Sequence, residues 1–472
     1  MRIEVTNSLS RIWAPPSVLK ELDTLASYPI DGAQYSKAFR MGMWDGREHL
    51  LRKSKRGDFH LIPTGILAEL DDLMVSSEVV DMRRQPGERR QLNWVGKKMR
   101  GYQEDAANAA LKERGLFTGR GMMNLPIRSG KTYLAARLVH LTGLRTVFVV
   151  PSDLLLFQTA KAFQEALSPA PVAMFGAGIH NTDWITISTA QTLLKRPKMA
   201  RKLLDECDLL IIDEAHHLEG PVWRALALRS DAPLKIGLSA TIFVSQLKDN
   251  DKASVWLKAC TGPILYRISM ARLIKLGYLM RPRIVFFRFQ HQPGSERWSW
   301  LRVVKESLAQ NRRRNCLIVD IAEQVVREGK KILIDTGRHD QMRQLKDFMA
   351  SRGISAELVH GKTPANKRWG IIEGFQKGIT QCLIGTVFGE GVDIPELEVV
   401  INAEGQKSGK AAIQRMRNLT PNEGKGEVIF VDIADVGQPY LAGHALERLK
   451  LYRGMRGFNV QVCDGNRLVD SG

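Results

Sequence analysis

Two short segments carry the residue types that phosphate chemistry needs. Leu125-Pro-Ile-Arg-Ser-Gly130-Lys131-Thr132 ends in Gly-Lys-Thr, and Asp213-Glu214-Ala-His216 begins 82 residues after Lys131. In the first, backbone N–H groups and a helix N-terminus hold an anion, and the lysine adds a point charge. The second follows the apolar run Leu209-Leu-Ile-Ile212, the pattern of a strand buried on both faces of a parallel sheet. Phosphoryl transfer needs charge neutralisation and in-line positioning more than covalent help, so one hydroxyl and one carboxylate are expected to hold Mg2+ while another group orients water. Thr132 and Asp213 take the metal, Lys131 the β and γ phosphates, and Glu214 the attacking water. Pro126, Arg128, Ser129 and Gly130 complete the loop. Arg128 stands where such loops carry a small residue, so its side chain is expected to point outward or to touch phosphate.

These groups need strands that end beside them. From 97 to about 280, apolar strands (Thr146 to Val150, Trp184 to Ser188, Leu209 to Ile212, Ile236 to Ser239) alternate with helical stretches at Tyr102 to Arg114 and Leu154 to Ala166. That pattern predicts a parallel sheet with helices on both faces. A second βα series starts near Pro282 and includes Lys331 to Asp335, Gln381 to Thr386, Val399 to Asn402 and Glu427 to Asp432. The expected fold is α/β: two RecA-like parallel-sheet lobes in tandem, 96–280 and 281–460, after a small α+β accessory domain, 1–95, and before a tail, 461–472, frayed from Asp464 on. Open α/β sheets bind ligands at the carboxyl ends of their strands, so the nucleotide is expected in a cleft between the lobes, whose closure moves them.

At this point the chain resembles a superfamily-two helicase with a D-E-A-H box, and the other motifs of that family occur in order. Arg100-Gly-Tyr102-Gln103 is similar to the adenine-reading glutamine motif. Pro151-Ser152 and Thr189-Ala-Gln191 resemble the segments that touch the nucleic-acid backbone, and Ser239-Ala240-Thr241 the motif that couples hydrolysis to movement, with His216 joined to it. Later, His360-Gly361, Thr386 to Asp393 (with Gly391) and Gln414-Arg415-Met-Arg417 match further motifs. The last departs from the family's Gln-Arg-x-Gly-Arg by loss of the glycine. Either Arg417 or Arg415 is then the finger that meets the γ phosphate. The resemblance covers about 96 to 455 and implies ATP as substrate, Mg2+ as cofactor and nucleic acid as partner.

Charge agrees with such a partner. Net charge is +19 over 472 residues, and basic side chains bind phosphates by displacing condensed counterions. Basic and acidic residues number 14 and 13 in 1–95, 25 and 15 in 96–280, and 30 and 22 in 281–472, so the excess belongs to the lobes. Arg52-Lys53-Ser-Lys55-Arg56, the stretch Arg83 to Arg100, and Arg312-Arg313-Arg314 are the dense clusters; each is either a nucleic-acid contact or a solvated face. The five cysteines form no Cys-x-x-Cys pair, which argues against zinc and disulfides. No apolar run approaches the roughly 18 residues of a membrane span, and the N-terminus lacks a signal-peptide pattern. A cytoplasmic location, the host's if the chain is phage-encoded, and no membrane partner are expected.

The first 95 residues hold no hydrolysis motif. They pair a β-like opening, Arg2 to Asn7, with an amphipathic helix, Pro16 to Ser27, and a second helix, Thr64 to Met74. Trp44-Asp45-Gly46 reads as a turn with Trp44 in the core or as an anchor. With the basic stretch and Pro63-Thr-Gly65 that follow, this arrangement resembles the N-terminal domain of UvsW-type bacteriophage helicases. That resemblance implies unwinding and branch migration of forked and four-way DNA in recombination, repair and replication restart, alongside other recombination or replication proteins. Two alternatives stay open: a D-E-A-H RNA helicase, since no residue reports on a 2′-OH, and a slow ATP-switched nucleic-acid-binding protein with little unwinding. Polarity, step size and oligomeric state, monomer or otherwise, are not legible.

Overall fold

Strand periodicity resolves into three main sheets. The computed structural model describes residues 1–68, 70, 77–168, 170–240, 251–361, 363–385, 394, 396–407, 413, 416, 419–421, 427–464 and 467–471. The chain divides into two compact units, Met1–Pro126 with Gly130–Ile268, and Ser269–Gly472 with Ile127–Ser129. Among the described residues no helix is long and apolar enough to cross a membrane.

The N-terminal residues form β1 (Arg2–Val5), β2 (Leu9–Trp13), β3 (Ser27–Pro29), β4 (Arg47–His49), β5 (Arg52–Lys53), β6 (His60–Pro63) and β7 (Glu78–Asp81). Five of these make a sheet ordered β5-β6-β2-β1-β7, and β3 pairs with β4 as a separate ribbon. Trp44 neither enters the core nor stands free: it is half-buried and its indole N–H donates to the Arg47 carbonyl at 2.8 Å. Of the helix expected to run from Thr64 to Met74, the described part is one turn, Thr64–Leu67; 69 and 71–76 lie outside the described residues.

These residues were expected to form their own domain, yet they share a core with the first lobe. Ile3, Ile12 and Ile62 belong to one buried cluster with Leu210, Ile212 and Trp256. The turn after β1 also satisfies two buried cations of that lobe. Lys235 Nζ, on a strand described below, donates to Ser8 Oγ (2.7 Å) and to the carbonyls of Ala227 and Ser230 (2.8 and 2.6 Å), while Arg120 Nη1 donates to the Asn7 carbonyl (3.1 Å). Buried donors without acceptors cost stability, so this turn is a structural part of the lobe. The segment 84–90, within the basic stretch before the first lobe, is strapped down as well: Arg84 Nη1 lies 2.7 Å from Asp208 Oδ1.

The first lobe contains β8 (Arg120–Asn124), β9 (Thr146–Val150), β10 (Val172–Gly176), β11 (Ile179–His180), β12 (Ile185–Thr189), β13 (Leu209–Ile212), β14 (Leu234–Ser239) and β15 (Ile264–Arg267). Their order is β11-β10-β12-β9-β13-β14-β8-β15, parallel throughout except for β11. All four residues of β13 are buried, as a strand covered on both faces requires.

The second unit repeats the plan with β16 (Pro282–Gln290), β17 (Ile332–Asp335), β18 (Ala356–Val359), β19 (Cys382–Gly385), β20 (Val399–Asn402), β21 (Val428–Val436), β22 (Asn459–Asp464) and β23 (Arg467–Ser471), in the order β18-β19-β17-β20-β21-β16-β22-β23. The residues from Asp464 on, expected to fray, instead supply β23, antiparallel to β22, which itself runs parallel to β16. Alternating apolar residues at Val460 and Val462, both buried, explain the addition. Arg314 of the triple-arginine cluster is also not a surface group. It is fully buried, with Nε and Nη2 at 2.8 and 3.0 Å from the two oxygens of Asp435.

Candidate nucleotide site

Parallel pairing brings the two chemical segments together. β13, β14 and β8 lie side by side in register, Ile212 opposite Gly237 and Ser239 opposite Asn124. The residues that follow therefore leave the sheet at one edge, where the Leu125 N–H donates to the Ser239 carbonyl and the Asp213 N–H to the Val149 carbonyl, both at 2.9 Å. Gly130 takes the left-handed conformation (φ 77°) and starts the helix Lys131–Thr142. A Cβ there would sit 2.5 Å from Gln103 Nε2, so the loop needs glycine on two counts. Arg128 also has positive φ, 63°; Pro126 and Ser129 are buried and Thr132 half-buried beside Lys131.

Lys131 Nζ lies 3.1 Å from Glu214 Oε1. Glu214 reaches it from a left-handed backbone conformation (φ 45°), which costs energy for a residue with a Cβ and is typical of strain kept at functional sites. Asp213 is buried and its Oδ1 accepts the Glu214 N–H at 2.9 Å. Burial alone would push the Glu214 carboxyl up; the Lys131 ammonium and then the His216 imidazole override it and hold it at about 2. His216 Nδ1 stands 3.4 Å from Glu214 Oε2 and 3.3 Å from Ser239 Oγ, so the side chain joins the carboxylate to the end of β14. Ala240 follows Ser239, and Thr241 lies outside the described residues. The neighbouring His217 stacks on Trp223 with ring centroids 5.0 Å apart.

Other expected residues are placed differently. Gln103 is buried, its Oε1 accepting the Arg100 N–H at 3.0 Å and its Nε2 donating to the Gly130 carbonyl at 3.4 Å. The amide thus links the helix Gly101–Leu111 to the phosphate loop. Arg100 Nη1 meets Tyr102 Oη at 3.3 Å, with Tyr102 buried. Ser152 and Thr189 cap the helices Asp153–Ala166 and Ala190–Lys195, accepting the N–H of Leu155 and Thr192. Thr189 is buried, Pro151 half-buried and Gln191 exposed, so of these four Gln191 is the most open to a ligand.

In the second unit, Val359 of β18 and Asp335 of β17 are both opposite Gly385 of β19. His360 and Gly361 consequently share an edge with Thr336, Gly337 and the exposed Arg338, a trio the sequence reading passed over. The signal was available as the apolar run Ile332-Leu-Ile334 followed by Asp-Thr-Gly-Arg. The rings of His339 and His360 pack edge to face, 4.8 Å apart. Thr386, Gly391, Asp393, Gln414, Arg415 and Arg417 lie outside the described residues.

The family model described as "Type III restriction enzyme, res subunit" matches residues 96–244, and "Helicase conserved C-terminal domain" matches 315–417. A DNA 3'-5' translocase XPB2 of Sulfurisphaera tokodaii is 26% identical over 379 residues, covering 72% of this chain and 82% of that protein. The ATP-dependent DNA helicase uvsW of Enterobacteria phage T4 is 22% identical over 501 residues, covering 94% and 95%. Among solved structures, S. cerevisiae Dbp5 bound to RNA and ADP BeF3 superimposes with a TM-score of 0.58 at 15% identity, covering 77% of this chain and 90% of the other, which speaks to fold alone.

Proposed function

Because this chain belongs to the superfamily-two helicases and has their two RecA-like lobes, we infer that it is an ATP-driven DNA motor acting on forked and four-way junctions. The observation that carries the reading is the Lys131–Glu214 contact, 3.1 Å, at an edge shared by three strand ends. Lys131 contacts the β and γ phosphates, and Glu214, ionised at neutral pH, accepts a hydrogen bond from the attacking water. As Lys131 turns to phosphate, Glu214 loses its strongest partner and becomes a better proton acceptor. The ion pair thus acts as a resting latch on the base.

Thr132 and Asp213 offer hard oxygen donors, one hydroxyl and one carboxylate, which suits Mg2+. Among the described residues no three carboxylate, imidazole or thiolate groups converge elsewhere as a metal site. When bound, the ion neutralises phosphate charge. His216 and Ser239 carry the state of Glu214 to the segment after β14, and the γ-phosphate contact falls to Arg415 or Arg417. DNA as the strand moved is supported by what the XPB2 and uvsW relatives are named for and by the charge of +19. Preference for branched DNA extends from the Trp44-Asp45-Gly46 resemblance.

Lys131→Ala is expected to abolish ATP hydrolysis while DNA binding persists; an unchanged hydrolysis rate would refute the site. Unwinding of a fork, a four-way junction and an RNA–DNA hybrid, measured side by side, tests the substrate. Equal or better use of the hybrid overturns the branched-DNA assignment.

A further inference from the structure

Alternation along the N-terminal sheet sends Ile3, Val5, Ser10 and Ile12 into the core and leaves the other set of side chains facing out. Arg2 pairs across from Trp13, and Glu4 from Arg11; Arg11 and Arg52 are both opposite Leu61. Residues opposite one another share a face, so one open surface carries arginines beside aromatic rings. The Arg2 guanidinium lies 5.4 Å from the centre of Trp13, the Arg11 guanidinium 5.6 Å from that of Phe59, and the two rings are 5.3 Å apart. Glu4 spans both arginines, at 2.9 and 3.1 Å, and holds their planar forks over the rings. Arg2 and Arg11 remain half exposed, at 48% and 50%.

Charge on this surface leans positive. Residues 1–95 are nearly neutral as a whole, with 14 basic and 13 acidic side chains. Yet among the described residues of this face and its adjoining hairpin, Arg2, Arg11, Arg52, Lys53, Lys55 and Arg56 outnumber Glu4, Glu48, Asp58 and Glu78, the last lying opposite Arg2.

We propose that this open sheet face binds an unpaired DNA strand, its bases stacking on the Arg2–Trp13 and Arg11–Phe59 pairs and its phosphates running along the Arg52–Arg56 hairpin. The proposal rests on the helicase reading, because such a motor releases single strands. Guanidinium planes and aromatic rings both stack on exposed bases. A duplex keeps its bases covered and gains little from such planes. A protein partner would favour a wider apolar patch than Leu9, the large apolar side chain of these strands that stands exposed.

The test uses the full chain without nucleotide and follows the anisotropy of labelled oligothymidylate, an abasic oligomer of equal length, and a duplex. The unaltered protein is expected to prefer oligothymidylate to the abasic strand. Trp13→Ala and Arg11→Gln should each weaken oligothymidylate binding by about tenfold and shrink that preference. Trp13→Phe should keep most of it, and DNA-independent ATP hydrolysis should stay unchanged in all three. Lys55→Gln with Arg56→Gln should flatten the salt dependence by about 0.7 per cation. Should Trp13→Ala fail to melt cooperatively, Arg11→Gln and Trp13→Phe decide. Unchanged oligothymidylate binding by Arg11→Gln, or by a folded Trp13→Ala, overturns the proposal, as does an equal loss on duplex and single strand. The helicase reading fails separately, if the unaltered protein binds no DNA or hydrolyses no ATP.

Discussion

Replacing Arg314 by methionine isolates one buried carboxylate. Asp435 is 1% exposed and accepts three hydrogen bonds: from Arg314 Nε (2.8 Å) and His291 Nε2 (2.9 Å) on Oδ1, and from Arg314 Nη2 (3.0 Å) on Oδ2. Methionine removes two of them and strips Oδ2 of its partner. It also frees the Ala403 carbonyl, to which Arg314 Nη1 donates at 2.9 Å. Breaking a fully buried pair from one side costs about 3–5 kcal/mol, since the remaining charge stays desolvated. For a unit of this size that is a fall of roughly 6–20 °C in the melting transition.

The loss should depend on pH in a direction fixed by Asp435. In the intact protein burial pushes this carboxyl up, but Arg314 and then His291 hold it below the usual carboxylate range. A depressed carboxyl contributes stability above its unfolded value, near 3.8, and loses it as pH falls through the folded value. Without Arg314, burial dominates and the carboxyl rises above its unfolded value, so the variant regains stability as pH falls from 7 towards 4. Calorimetry at several pH values reads the difference between the two proteins, which should narrow on acidification. Adding Asp435→Leu should recover much of the loss at pH 7. A deficit under about 1 kcal/mol, or one independent of pH, refutes the assignment of Arg314 as a structural residue and returns it to the nucleic-acid candidates.

Gly130→Ala should lower kcat/KM for ATP at least tenfold on the order of a kilocalorie or two of left-handed strain, with displacement of Gln103 added; steady-state kinetics showing ordinary turnover would count against the loop geometry. Deleting residues 1–95 should leave the lobes insoluble, because Lys235 and Arg120 lose the Ser8 and Asn7 acceptors and the shared core opens. A soluble 96–472 fragment with the melting temperature of the full chain would show the accessory residues to be separable.

The order of motifs, the alternation of strand and helix, and the segments that meet at the phosphate loop are legible in the sequence. They rest on local requirements: an αL glycine before Lys131, a four-residue apolar run before Asp213, caps at Ser152 and Thr189. Each is decided by a residue and its near neighbours. Parallel pairing then places β8, β14 and β13 ends together, which a reader of βα periodicity anticipates. What only tertiary structure decided concerns partners distant in the chain. Nothing local marks Lys235 as buried against Ser8, or Arg314 as the mate of Asp435, 121 residues away. Both look like surface cations until a neighbour is known. The same holds for Gln103, whose amide is engaged by Gly130, and for the last strands, whose pairing depends on the edge that β16 offers. Charge and polarity are properties of a residue; burial and pairing are properties of the fold, because they depend on which side chain arrives opposite.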